Sequence, residues 1–67
     1  MELIFEVRDA EEGFTAHAIG EENLATRGQT WDELRANVLE AVRSYFGPGM
    51  TPRRVQLHYV RDELVLI

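Results

Sequence analysis

The chain has no cysteine, no lysine and no long apolar run in its 67 residues. Without cysteine, neither a disulfide framework nor a thiolate metal site can staple the fold. A domain of this length buries only about 60% of the surface that its unfolded chain exposes. Stability must then come from one small core or from oligomerisation, and a deep catalytic pocket has little room. The seven basic residues are all arginine, and against twelve acidic ones they leave a net charge of -5. Such a surface repels phosphate backbones, which disfavours direct nucleic-acid binding and favours a basic protein partner. The opening "MELIFEV" has no basic stretch leading into an apolar run, and nowhere do about 18 apolar residues follow one another, so neither a signal peptide nor a membrane span is expected. The chain reads as one soluble domain over residues 1–67, cytoplasmic, with no membrane partner.

What is present is patterning. Leu3, Phe5 and Val7 alternate with Glu6 and Arg8, as in a strand covered on one side. "AEEG" predicts a turn, and the alternation resumes in "GFTAHAI", with Phe14, Ala16 and Ala18 set against Thr15, His17 and Ile19. A hairpin follows from the two runs. Leu24 to Thr26 predicts a short third strand closed near Gly28. Thr30-Trp-Asp-Glu33 then matches a capping box, in which Thr30 and Glu33 each satisfy the other's backbone N–H. Leu34, Val38, Val42 and Tyr45 form one apolar stripe at helical spacing, flanked by Ala41 and Phe46. Gly47 and Pro48 end the helix. "RRVQLHYV" returns to period two with Val55, Leu57 and Tyr59. Continuing that alternation would put Arg61 and Glu63 on the face of Val55, so a tight turn or bulge at "RDE" and a last strand at "LVLI" are expected. The predicted fold is α+β: a two-layer sandwich of one helix on a mainly antiparallel sheet of four to five strands, in the order β-β-β-α-β-β.

These segments resemble a known family. "EEGFTAHA", "TRGQTWDELRANVLEAV" and "VQLHYV" are similar to the N-terminal domain of HicB-type antitoxins, particularly the short stand-alone HicB-like proteins. The resemblance implies a partial RNase H-like β-β-β-α-β arrangement without nuclease chemistry, which binds a small basic HicA-type mRNA interferase. Longer HicB proteins add a C-terminal helix-turn-helix or ribbon-helix-helix for operator binding. Here Ile67 follows directly on the last predicted strand, so DNA binding is not expected.

The residue chemistry agrees with a non-catalytic reading. Metal-dependent nucleases need carboxylates converging on divalent cations. The first strand instead carries Leu3, Ile4 and Phe5 at its centre, while Asp9, Glu11, Glu12, Glu21, Glu22, Asp62 and Glu63 sit at turns. His17 and His58 fall on the helix-free face, where Glu6 could join them, but a stable zinc site takes three or four ligands in tetrahedral array. "GPGM" lacks the lysine and hydroxyl of a phosphate loop, and Ser44 has no base at motif spacing. No enzyme activity, cofactor or metal is expected. Arg53 and Arg54 are too few for a nucleic-acid footprint and suit surface ion pairs.

Apolar residues on the helix-free face are the informative feature. Ile4, Ile19 and Val60 share it with Thr15, His17, Gln56 and His58, and Leu64 to Ile67 cannot all face one core. So much apolar surface calls for a partner. Trp31, in the first helical turn, suits either packing over the core or a partner anchor. The expected contacts of a partner or second copy are therefore Ile4, His17, Ile19, Trp31, His58, Val60, Leu64 and Leu66. The apolar surface predicts a protein-binding module that is at least dimeric, and the resemblance implies one of the HicB antitoxin kind that neutralises a HicA-like toxin. The alternative is a self-associating adaptor domain with no toxin.

Overall fold

Alternation around Leu3, Phe5 and Val7 becomes strand β1 (Glu2–Ala10) in a computed structural model that describes residues 2–67. Glu11 and Glu12 turn the chain into β2 (Gly13–Ala18), followed by β3 (Ala25–Gly28), helix α1 (Trp31–Phe46) and β4 (Arg54–Val60). The strands form one sheet in the order β3-β2-β1-β4. Two pairings are antiparallel, and β1 with β4 is parallel. The parallel pair follows from direction: each element from β2 to α1 reverses its predecessor, so the strand after the helix again runs like β1. At about 1.5 Å per residue, the 16-residue helix spans about 24 Å, enough to carry the chain back along the sheet.

The period-two face built on Leu3, Phe5 and Val7 packs with Ala16 and Ala18 of β2, Leu24 of the β2–β3 turn, and Leu34, Val38 and Val42 of the helix. Small side chains on β2 let the helix lie close, while Phe5 supplies the bulk beside them. The helix sits over β3 and β2. Its approach to β3 is set by Gly28, where a Cβ would lie 2.4 Å from the Leu34 backbone nitrogen. Gly13 is needed twice over: its φ is 116°, and a Cβ there would lie 2.2 Å from the Gly28 carbonyl oxygen.

Three local expectations are corrected. Thr30 caps the helix as predicted, its Oγ1 accepting from the Glu33 N–H at 3.1 Å, but the Glu33 carboxylate accepts from the Gln29 N–H at 3.2 Å rather than from Thr30. The reach of a glutamate accommodates either neighbour, so the satisfied donor lies one residue further out. Tyr45 is not on the buried stripe; the i+4 series Leu34, Val38, Val42 runs on to half-buried Phe46. Tyr45 turns out to donate to Glu21 at 2.8 Å. The last strand expected at Leu64–Ile67 does not form, so the order is β-β-β-α-β, with residues 61–67 exposed and outside the sheet. Arg61, Asp62 and Glu63 include no glycine or asparagine to make the tight turn of a hairpin. The chain therefore runs on past the sheet. The molecule is 52 Å long by 20 by 18 Å. A nine-residue strand measures about 30 Å, and seven extended residues supply about 23 Å more.

Candidate protein-contact surfaces

Register places the side chains on the helix-free face in rows. Ala25, His17, Glu6 and His58 lie side by side across the four strands, and the neighbouring row holds Arg27, Thr15, Arg8 and Val60. Ile4 stands beside Gln56. Ile19 extends the ladder one residue past β2, its N–H donating to the Ile4 carbonyl at 2.9 Å. Of the eight residues singled out from the sequence, Ile4, His17, Ile19, His58 and Val60 thus share this face. Ile4, Glu6 and Val60 are half-buried among their neighbours, while His17, Ile19 and His58 are exposed.

The two histidines flank Glu6, but its carboxylate is held by Arg8, whose Nε donates to Oε1 at 2.7 Å. An arginine on the central carboxylate opposes a cation there. Among the described residues, no group of three or more His, Asp or Glu is placed to hold a metal ion. Nor does any buried side-chain nitrogen or oxygen lack a hydrogen-bond partner among them. The face is therefore a surface of mixed apolar and polar groups, on which Glu6 and Arg8 are paired.

Trp31 lies away from that face. Its ring meets Phe14 and Tyr59 edge-on at 5.4 and 5.6 Å, and Phe14 meets Tyr59 at 5.8 Å. Such edge contacts suit the ring quadrupoles. The triangle closes the end of the core where the helix starts, which is the packing role that the position allows. Tyr59 also donates to Asp9, and that bond raises the phenol above its ordinary value of 10, assisted by burial and the carboxylate's charge and opposed by Arg61. Leu64 and Leu66 lie in the exposed segment beyond β4, 90% and 88% accessible, and join neither group.

Acidic residues concentrate at the same end as the aromatic triangle. A cleft of about 550 Å³ lies between the β1–β2 turn and the start of the helix. Glu11, Glu12 and Glu33 line it together with Arg27, and Phe14 and Gly28 are among the remaining lining residues. A cleft rimmed by three carboxylates suits a basic side chain from outside. The sequence indicates these charges one by one; the closed hairpin brings Glu11 and Glu12 to the helix start, a tertiary consequence of the Gly13–Gly28 contact.

A second groove, of about 240 Å³, was not legible in the sequence. Arg35, Val38, Leu39, Val55 and Leu57 line it between the helix and β4. Its only forewarning is Leu39, which is apolar yet off the buried stripe and 39% exposed.

Over 66 residues, 98% of this chain and 93% of the relative, the sequence is 27% identical to a UPF0150 protein of Thermotoga maritima. The similarity spans all five elements. No family model matches the chain. No solved structure matches it either.

Proposed function

We propose that this chain is a non-catalytic protein-binding module of the HicB antitoxin kind, which acts in the cytoplasm by covering the RNA-binding surface of a small basic HicA-type mRNA interferase. The observation that carries this reading is the acidic cleft, where Glu11, Glu12 and Glu33 gather at the end of a sheet that the helix covers on one face only. The element order β-β-β-α-β and full-length similarity to a UPF0150 protein are consistent with a HicB-like domain. Complementary charge chiefly speeds encounter and selects the partner, while the apolar rows of the sheet supply contact area. The buried face of β1 carries Leu3, Phe5 and Val7 rather than carboxylates, which supports a non-catalytic reading.

The test is to mix the purified chain with a HicA-type interferase, ideally one encoded beside it, and follow RNA cleavage and complex formation. The expected result is a stable complex with cleavage suppressed, and Glu11→Lys with Glu12→Lys should slow association more than they speed dissociation. Cleavage undiminished at micromolar excess, with no complex on a sizing column, would overturn the reading. The alternative of a self-associating adaptor is favoured by a different observation, the exposed apolar segment beyond β4.

A further inference from the structure

The two edges of the sheet are treated differently. At β3 the Asn37 side chain donates to the Arg27 carbonyl at 2.7 Å, and Gly28 lets the helix backbone close against the strand. At β4, the opposite edge, no element among the described residues lies alongside. An open edge offers a row of unpaired N–H and C=O groups, and proteins blunt such edges with lysine, proline, bulges or a covering element. Arg54–Val60 contains no proline and pairs with β1 through seven consecutive positions without a bulge. Directly beside this edge lies the groove of Val38, Leu39, Val55 and Leu57. Beyond it, Leu64, Val65, Leu66 and Ile67 are each at least 67% exposed.

We propose that residues 61–67 of one copy lie antiparallel along β4 of a second copy, reciprocally, so that the two sheets join and each apolar segment fills its partner's groove. Six positions pair: residues 62–67 lie against residues 55–60 of the partner's β4. Alternation selects the faces. Val55 and Leu57 point to the helix side, and an unbroken strand puts Val65 and Ile67 on that same side. Pairing Val65 with the partner's Leu57, and Ile67 with the partner's Val55, seats both in the groove. The same register lays Leu64 beside His58 and Leu66 beside Gln56 on the other face, extending the surface that holds Ile4 and Val60. A two-fold axis generates the second contact from the first. The occupant is a second copy rather than the chain's own segment, because folding back on β4 needs a tight turn that Arg61, Asp62 and Glu63 do not favour. The arrangement stands independently of any toxin.

The chain has no cysteine, so a paired substitution reports geometry cleanly. Gln56→Cys with Leu66→Cys places thiols about 33 Å apart along one extended chain, but opposite each other across the proposed junction. Mild oxidation should give a covalent dimer on a non-reducing gel, and neither single substitution should do so efficiently. Wild type should show twice the monomer mass by light scattering at micromolar concentration, and Val65→Glu with Ile67→Glu should halve it with an unchanged circular dichroism spectrum. A disulfide-closed monomer, a monomeric wild type, or a dimer that survives the double glutamate substitution would each overturn the proposal.

Discussion

Gly28 sets the helix by what it lacks. Its missing Cβ is the space into which the first helical turn settles, and the neighbour is backbone, which cannot swing aside. Forcing a methyl group into so tight a contact costs about 1–3 kcal/mol, so Gly28→Ala should lower the urea midpoint by that equivalent, with little change in slope. Tyr59 and Tyr45, the only tyrosines, permit a separate test. Each donates to a carboxylate, Asp9 or Glu21, and each phenol is raised as a result, first by the hydrogen bond, then by burial and then by the charge. A folded value above the unfolded one means that the contribution to stability is fully present below about pH 10 and is lost as pH rises through the folded value. Alkaline absorbance titration should show both tyrosines ionising late. Asp9→Ala should bring one of them back towards its ordinary value and Glu21→Ala the other; an unchanged curve in either variant would refute the assignment.

At the scale of elements, the helix is the part whose local chemistry is most explicit. Thr30→Ala removes the Oγ1 acceptor for the Glu33 N–H and should cost about 1 kcal/mol, while Thr30→Ser should cost much less. Chemical denaturation of the two variants separates a lost cap from a general effect. Leu34→Ala, at a wholly buried position, should cost about 2–5 kcal/mol. These elements were readable because each is written locally: period two in β1, β2 and β4, a capped 3.6-residue stripe in α1, and glycine where the chain closes on itself. The helix-free rows of His17, Glu6 and His58 were readable for the same reason, since strand parity alone assigns a face. The lateral position of the helix was not. Nothing in the local pattern places it over β2 and β3 rather than over β4, so neither the groove at Leu39 nor the uncovered edge was visible. The composition of Leu64–Ile67 suits a strand, but a strand needs a neighbour as well as a composition, and within one copy none lies alongside among the described residues. The acidic cleft is intermediate: its glutamates are evident, but their convergence depends on how the hairpin meets the helix.

Size governs the whole molecule. Among the described residues the core holds nine buried apolar side chains, which is modest, and no disulfide supplements it. Against it stand four consecutive apolar residues left in water, beside an open strand edge. If a second copy covers both, folding and association become linked, and stability depends on protein concentration by mass action. A tenfold rise in concentration then adds about 1.4 kcal/mol per dimer, or about 0.7 kcal/mol per chain. For a domain of this length, that corresponds to an increase in Tm of about 3–6 °C. Calorimetry of wild type at 10-fold dilution steps, with concentrations chosen on the order of 10 to 1,000 μM, should therefore give rising midpoints. Val65→Glu with Ile67→Glu should unfold at one temperature throughout, below the lowest wild-type value, because its core is untouched while the linkage is gone. Coincident wild-type midpoints across the series would show that the exposed segment contributes nothing to folding, and its four apolar side chains would then have to be explained by a partner other than this chain.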